Sequence, residues 1–266
     1  MAKSQHSQEY YSFTEVMQIL GKKKSTLYNE IDEGKIPFEL PPNKKIGMRF
    51  PKEGIDILGK RVRKEQVEKR TMHLRFEEST TADLWTAVNN ARRIYGPEDV
   101  ISFERALEWR DINPDISKSV KEEKLFVGMA TFIPLDEEII QALLKDSMRE
   151  KDIADQAIRK WTEQQLSVYV AGIAIVSSED KQINNIRGQF LLRHAIKWGI
   201  TLTAQYDIKN WYGIGVTPDG QAILEALGFR QLTSLEDGKR KGYVLDVSHL
   251  KPTRLVQRYL GTMEER

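Results

Sequence analysis

The 266-residue chain contains no cysteine, and its four histidines lie far apart, without the spacing of metal ligands. Disulfide bridges and thiolate metal sites are therefore excluded, and redox chemistry would need a bound cofactor. The longest apolar run, residues 168–176, has nine residues, whereas a membrane-spanning helix needs about 20. The polar first residues, MAKSQHSQEYYS, lack the apolar core of an export signal. We expect a cytoplasmic protein with no metal and no membrane partner.

Charge is unevenly distributed along the chain. Its overall net charge is only +2, and 40% of its residues are hydrophobic, enough for a buried core. Residues 1–70 contain 15 Lys and Arg against 10 Asp and Glu, a net charge of +5, while residues 71–266 carry −3. The basic N-terminal segment favours a nucleic-acid partner, although surface charge can also serve solvation alone.

Residues 12–37, SFTEVMQILGKKKSTLYNEIDEGKIP, contain two short helical patterns on either side of Gly21. Thr14 is the predicted N-cap of the first helix, and Gly34 ends the second. Apolar residues recur at helical spacing in both helices: Val16, Ile19 and Leu20, then Leu27 and Ile31. Two short helices across a glycine turn predict a helix-turn-helix.

The polar side of the second helix supplies the candidate DNA-contacting residues. Side chains at the start of such a helix meet base edges and phosphates in the major groove. The candidates are Lys23, Lys24, Ser25, Thr26, Tyr28 and Asn29. A purely structural alternative stays open, with Tyr28 as a packed aromatic and the lysines as a solvated turn.

The next segment, FELPPNKKIGMRFPKEGIDIL, predicts a small hairpin wing. Its turn lies at residues 41–43, and Lys44 and Lys45 form a basic tip. The chain then returns through Arg49 into a helix that starts near Pro51.

Residues 11–58 resemble the excisionase-like, MerR-related winged helix-turn-helix family through FTEVMQILG, STLYNEIDEGKIP and MRFPKEGIDIL. The resemblance implies binding to double-stranded DNA, with the second helix in the major groove. It also implies that Lys44, Lys45 and Arg49 lie near the phosphate backbone. The family usually has a small polar cap where Lys23 stands, so we expect this helix to start at Ser25.

Residues 59–71 are strongly charged, with opposite charges four residues apart. They predict a helical linker between a DNA-binding domain at residues 1–58 and a second domain at residues 72–266. A dimerising helix is the alternative, although this segment has too few apolar residues for a coiled-coil seam.

In residues 72–266 the predicted strands and helices favour an α/β or α+β domain. LFVGMATFIPL, YVAGIAIV, NNIRGQFLLRHAIKWG and GQAILEALGFRQL, in this order, resemble the GNAT acyltransferase superfamily from about His73 to Val247. The expected fold class is α+β, an N-terminal winged helix-turn-helix followed by a GNAT-like mixed α/β domain. Within that domain we expect a strand at residues 200–207 and a helical insertion at residues 136–161.

The GNAT resemblance implies acetyl-CoA or another acyl-CoA, whose pyrophosphate is bound by backbone N–H groups of a loop at a helix N-terminus. The residues that match this cofactor site are Val176, Arg187, Gly188, Gln189 and Phe190.

Several residues depart from the family's cofactor loop. Asn185 stands at the first position of the motif, and bulky Phe190 stands where a small residue lets the backbone approach the pyrophosphate. Glu179 and Asp180 add negative charge. We therefore predict that cofactor binding is lost or altered, and it stays open whether the domain holds any cofactor.

No catalytic residue is assigned. Leu224 stands where many family members have a tyrosine that protonates the leaving thiolate, and Pro218 where an asparagine often touches the cofactor. His194 is expected on the surface. Residues that could replace the missing acid or base, or belong to the core instead, are Tyr206, Asp207 and Tyr212.

The sequence thus favours a sequence-specific DNA-binding transcriptional regulator, most simply a repressor, that acts as a homodimer. Its GNAT-like domain would be non-catalytic and would serve dimerisation, ligand sensing or partner contact. One alternative is a bifunctional protein that also transfers an acyl group from CoA to an amine. Another is an excisionase-type accessory factor in recombination.

Overall fold

The computed structural model describes residues 9–41, 47–71, 73–96, 100–249 and Thr253. The side chains of residues 66–70, 94, 95 and 249 are outside this description. Backbone contacts divide the chain into an N-terminal unit, Met1–Met72, and a C-terminal unit, His73–Arg266. Each unit is described by itself.

The N-terminal unit is built from three helices and two very short strands within its described residues. They are β1 Tyr10–Tyr11, α1 Phe13–Leu20, α2 Lys24–Asp32, β2 Phe50–Pro51 and α3 Lys52–Thr71. β1 and β2 pair antiparallel. The core residues are Val16, Leu20, Leu27, Ile31, Ile36, Phe50 and Ile55. The predicted inward positions of Leu27 and Ile31 are therefore observed.

Ser12 rather than Thr14 caps α1, which corrects the predicted N-cap. The Ser12 hydroxyl accepts the backbone N–H of Glu15 at 3.3 Å, and the Glu15 carboxylate accepts the N–H of Ser12 at 2.7 Å. This reciprocal capping box needs an acidic residue three positions after the cap, and Ser12 has one. Thr14 therefore lies inside the helix. α1 ends at Gly21, which has a φ of 62° as the predicted glycine turn requires.

α2 starts at Lys24, one residue before the predicted start at Ser25. Lys23 is its N-cap and makes no side-chain capping bond. The lysine side chain has no hydrogen-bond acceptor, so it cannot cap the first-turn N–H groups of α2.

The predicted linker, residues 59–71, forms the second part of α3. Gly59 is packed against α1, because a Cβ at this position would lie 2.8 Å from Ile19 Cγ2. Helix α3 therefore runs from the core of the N-terminal unit to Thr71 without interruption. The domain boundaries at residues 58 and 71 stay predictions.

The C-terminal unit alternates strands and helices. Its strands are β3 Leu74–Glu78, β4 Ser117–Glu122, β5 Leu125–Leu135, β6 Leu166–Ile175, β7 Ile208–Gly215, β8 Arg230–Leu235 and β9 Arg240–Asp246. Its helices are α4 Thr81–Tyr95, α5 Phe103–Ile112, α6 Glu137–Leu144, α7 Lys181–Gln205 and α8 Pro218–Ala226. The α+β fold class predicted from the sequence is confirmed.

Two predicted elements of this unit are corrected by the structure. Residues 200–205 belong to α7 rather than to a strand, because Leu202 is buried one turn after buried Trp198. The hydroxyls of Thr201 and Thr203 donate to carbonyls four residues earlier, a bond that threonine commonly makes inside helices. In the predicted helical insertion, only Glu137–Leu144 is α-helical, and short 3₁₀ turns follow at residues 150–152 and 155–157.

The seven described strands of this unit form one sheet in the order β3-β4-β5-β6-β7-β9-β8. All neighbours are antiparallel except β6 and β7, which run parallel because the long helix α7 connects them. Their ladder extends only to Val170 and Gly213, although β6 continues to Ile175. The sheet therefore opens near its centre, where Ile173 is 38% exposed.

Both faces of the sheet are covered. On one face, α6 and the residues after it bury Tyr169 and Tyr212 in an apolar cluster with Ile133 and Leu135. On the other face, Trp198 of α7 stacks on Phe132, with ring centroids 4.5 Å apart. The sheet is therefore the core of this unit.

The described ranges contain no candidate membrane span and no candidate metal site. No helix there is long and apolar enough to cross a membrane. Within the same ranges, His, Asp and Glu side chains form no group of three suited to a metal ion.

Truncation of Leu27 tests the core of the N-terminal unit. Leu27→Ala removes a fully buried side chain and should destabilise this unit by about 2–5 kcal/mol. Hydrogen exchange of the full chain should then accelerate in residues 9–41 and 47–71 but not in residues 100–249. Gln18→Ala, at an exposed position of α1, is the control and should leave exchange unchanged. Unchanged protection in Leu27→Ala would contradict the assigned core.

Candidate functional site

The outer side of α2 is polar and exposed. Because Leu27 and Ile31 face the core, the opposite side of the helix meets solvent. The predicted DNA-contacting residues are all exposed: Lys23, Lys24, Ser25, Thr26, Tyr28 and Asn29. The structure therefore brings these residues together on one accessible surface, the α2 surface.

Tyr28 is both packed and accessible. Its ring lies 4.8 Å from the ring of Phe13, between centroids, and the residue is 38% exposed. The Lys24 ammonium lies 6.0 Å from the centroid of the Tyr28 ring. The packed and DNA-contacting interpretations of Tyr28 are thus compatible, because Phe13 fixes the ring while part of it reaches solvent.

Charge changes sign along α2. Lys23 and Lys24 stand at its start, and Asp32 and Glu33 are exposed at its end. Lys22 is paired with Glu30 in a half-buried ion pair, which ties the turn before α2 to the middle of that helix. The basic end of the α2 surface is consequently its N-terminal end.

The base of the predicted wing is an antiparallel bridge. Glu39 and Arg49 exchange backbone hydrogen bonds at 2.8 and 2.9 Å, and Arg49 is exposed. The Tyr10 hydroxyl donates to the Glu39 carboxylate at 2.7 Å, and this bond raises the pKa of Tyr10. Lys44 and Lys45, the predicted basic tip, lie outside the described residues.

The second candidate site, the predicted phosphate loop, is corrected by the structure. Helix α7 begins at Lys181, so Arg187, Gly188, Gln189 and Phe190 lie inside it rather than in a loop. Inside a helix, backbone N–H groups donate to carbonyls four residues earlier and are not available to a phosphate. A strand-loop-helix does exist here, but its loop is residues 176–180.

The N-terminus of α7 is capped by Asp180. Its carboxylate accepts the N–H groups of Gln182 at 2.8 Å and Ile183 at 3.4 Å. The Asn184 side chain closes the loop further: its oxygen accepts the N–H of Ser178 at 2.7 Å, and its amide donates to the Ser178 carbonyl at 2.8 Å.

The four predicted cofactor residues inside α7 have other surroundings. Arg187 pairs with Glu122 of β4 at 2.5 Å, and its side chain is 13% exposed. A Cβ on Gly188 would meet nothing within 4 Å, and Gln189 is exposed. Phe190 stacks on His194 at 4.1 Å between ring centroids.

Val176, the fifth predicted cofactor residue, extends the ladder between β5 and β6. Its N–H donates to the Val127 carbonyl at 2.9 Å. This backbone donor is therefore engaged by the sheet.

The predicted substitutes for a catalytic acid or base also have partners. Buried Tyr212 donates to Glu137 at 2.6 Å, and burial, followed by this bond, raises the pKa of the Tyr212 phenol well above its ordinary value. Tyr206 stacks on Trp161 at 5.3 Å, and Asp207 accepts the N–H of Gln165 at 3.0 Å. These contacts serve packing and loop anchoring.

His194 is not the surface residue predicted from the sequence. It packs against Phe190 and Phe76, because its position on α7 faces the sheet. Burial lowers the pKa of its imidazole to about 4, with smaller contributions from Lys197 and Arg193.

One buried polar pair, Tyr169 and Glu150, was not predicted from the sequence. The Tyr169 hydroxyl donates to Glu150 at 2.8 Å, and burial raises the pKa of both groups. Glu150 lies in a 3₁₀ turn after α6, and no local pattern indicates its contact with β6. Only the folded path of the insertion brings the two together.

The N-terminal region matches a known family. Residues 10–57 match the family model described as a helix-turn-helix domain, which confirms the helix-turn-helix predicted from the sequence. No curated protein matches the chain.

Solved structures similar to the chain include three acyl-transfer proteins. They are Arabidopsis thaliana NAA60 in complex with acetyl-CoA, mosquito arylalkylamine N-acetyltransferase like 5b, and FeeM, an N-acyl amino acid synthase from uncultured soil microbes. Their sequence identities are 15%, 13% and 12%, and each has a TM-score of 0.42. The matches cover 65%, 65% and 70% of this chain and 99%, 100% and 97% of those chains. Likeness of this degree assigns no activity or ligand to this chain.

Replacement of His194 tests whether its packed environment makes the stability of the chain depend on pH. The folded imidazole has a pKa of about 4, below the ordinary value of 6.5, so the unfolded state binds this proton more tightly. Stability should therefore fall as pH decreases from about 6.5 to about 4. His194→Phe should remove about 1–3 kcal/mol of this pH-dependent change, measured by denaturant unfolding at several pH values.

The same substitution at exposed His73 is the matched control and should keep the pH dependence of the parent chain. An identical slope in His194→Phe and the parent would show that His194 is not the titrating group.

Proposed function

We propose that the chain is a sequence-specific transcriptional regulator, most simply a repressor, that binds double-stranded DNA through its N-terminal unit. The observation that carries this proposal is the α2 surface, where polar residues are exposed on a helix whose other side is fixed by the core. Such a surface fits the major groove, where side chains read the donor and acceptor pattern of the base pairs.

Charge orients this helix on DNA. Its lysine-bearing N-terminal end attracts phosphates, whereas exposed Asp32 repels them from its C-terminal end, where Glu33 is paired with Lys35. Lys23 provides no side-chain cap, so the first-turn N–H groups are suited to a phosphate oxygen. We therefore place the N-terminal end of α2 closest to the DNA backbone.

The wing supplies a second contact in this proposal. Exposed Arg49 stands at its base, and Lys44 and Lys45 belong to the same segment. Contacts from the wing and from α2 would fix the N-terminal unit in two places on the duplex, which sets its register.

We propose that the C-terminal unit is non-catalytic. Leu224 packs over Gly213 of β7, where a Cβ on the glycine would lie 3.3 Å from Leu224 Cδ2, and it offers no proton to a leaving group. Tyr212 is engaged by Glu137. Among dimerisation, ligand sensing and partner contact, the opening between β6 and β7 favours ligand sensing, because it exposes apolar Ile173 near the centre of the sheet.

The same opening is the observation that favours the bifunctional alternative, acyl transfer from CoA to an amine. Release of free CoA from acetyl-CoA in the presence of amines distinguishes the two roles. The non-catalytic proposal expects no release above the uncatalysed rate, and turnover would establish the alternative.

Charge removal tests the DNA surface. Lys24→Ala and Arg49→Ala should each weaken duplex binding and reduce the slope of log affinity against log salt by about 1, because each loses one phosphate contact. Fluorescence anisotropy at several salt concentrations measures both effects. Lys209→Ala removes the same charge from an exposed position on β7 and should change neither. Unchanged slopes in both test variants would contradict the surface assigned to DNA.

Two-fold assembly is a separate expectation. Proteins with this motif commonly read paired half-sites, so a homodimer should bind a palindromic site. Sedimentation equilibrium of the free chain, and of the chain with a duplex of paired sites, measures the stoichiometry. One copy of the chain per duplex at saturating concentration would exclude the dimer.

A further inference from the structure

The start of α7 is the place where the GNAT resemblance implies the cofactor's pyrophosphate, and the residues present do not fit an anion. A helix N-terminus binds anions when its N–H donors are free and its surroundings are neutral or basic. Here two of those donors, on Gln182 and Ile183, already bond to a carboxylate of the chain itself.

We infer that Asp180 takes the place of the cofactor's anion: its carboxylate occupies the donors at the start of α7, so acyl-CoA is excluded from this position. The inference deepens the proposal that the C-terminal unit is non-catalytic and rests on it.

The loop before α7 holds this carboxylate in place. The backbone N–H of Asp180 donates to the Ser178 hydroxyl at 3.3 Å, and the N–H of Asn184 donates to the Asp180 carbonyl at 3.1 Å. The two bonds between Asn184 and Ser178 close the same turn. A phosphate would have to displace a carboxylate that the surrounding loop positions, with Glu179 adding repulsion beside it.

The basic residue of the motif is also committed elsewhere. Arg187 binds Glu122 through both its Nε, at 3.2 Å, and its terminal nitrogen, at 2.5 Å. In this pair the Arg187 side chain is only 13% exposed. The pair links α7 to β4 and leaves the guanidinium unavailable to an incoming phosphate. Gly188 lies inside the helix, and a Cβ there would meet nothing within 4 Å.

Calorimetric titration of the full chain with CoA is the first test. The parent chain should show no binding up to about 1 mM CoA, because two of the donors and the guanidinium are already engaged. Binding with a micromolar dissociation constant would overturn the inference.

Asp180→Ala is the second test, because it asks whether removal of the carboxylate allows an anion to bind at the start of α7. The variant exposes the donors at the start of α7, so about 10 mM pyrophosphate should raise its melting temperature by about 2 °C more than that of the parent. Ser102→Ala, which uncaps α5 by removing a neutral hydroxyl, is the matched control and should respond like the parent.

Two outcomes of the second test would overturn the inference. An equal response of Asp180→Ala and the parent would show that the carboxylate is not what excludes the anion. An equal gain in Asp180→Ala and Ser102→Ala would show that any uncapped helix behaves in this way.

The outcome also separates this inference from the proposed function. If the chain binds CoA but releases no free CoA from acetyl-CoA, only the role assigned to Asp180 is wrong. If it releases free CoA in the presence of an amine, both that role and the non-catalytic proposal are wrong. DNA binding by the N-terminal unit is measured independently of either result.

Discussion

The first N–H groups of a helix need an acceptor, and this constraint shapes both units of the chain. Five helices begin with a side-chain acceptor from the chain itself: Ser12 for α1, Thr80 for α4, Ser102 for α5, Asp180 for α7 and Thr217 for α8. Lys23 gives α2 no such acceptor, and Asp136 makes no side-chain capping bond to α6. Helix α2, which we propose to contact DNA phosphates, thus differs from α7, which the GNAT resemblance would assign to a cofactor phosphate.

The helix-turn-helix could be predicted from sequence because its signals are local. Gly21 adopts the left-handed conformation that ends α1, and the spacing of Leu27 and Ile31 sets which side of α2 is buried. The exact cap was also visible in the sequence, since Ser12 and Glu15 have the spacing of a capping box, whereas Thr14 has no acidic residue three positions later. In the C-terminal unit, polar β4 escaped prediction because Val120 is its only apolar residue, so no apolar alternation marks it as a strand.

The candidate cofactor site could not be predicted because a motif does not show where its helix begins. The stretch from Asn185 to Phe190 has a glycine and an arginine at suggestive spacing, but Asp180 starts the helix earlier. The partner of Arg187, Glu122, lies 65 residues away, and the contact exists only when α7 packs across the sheet. Likewise, the exposure of His194 depends on which side of α7 faces Phe76. Residue types were visible in the sequence, but their contacts required the fold.

The short parallel ladder between β6 and β7 has a consequence for how the C-terminal unit folds. Strands β3 to β6 are antiparallel neighbours in chain order, and β7, β8 and β9 form a second contiguous group, so each half of the sheet can assemble from its own stretch of chain. The ladder between the halves has five residue pairs, and the 25-residue helix α7 separates them in sequence. Helix α6, from the first half, also contacts the second half, where Glu137 accepts the Tyr212 hydroxyl. Because this junction joins residues that are distant in sequence, it should form after each half has assembled.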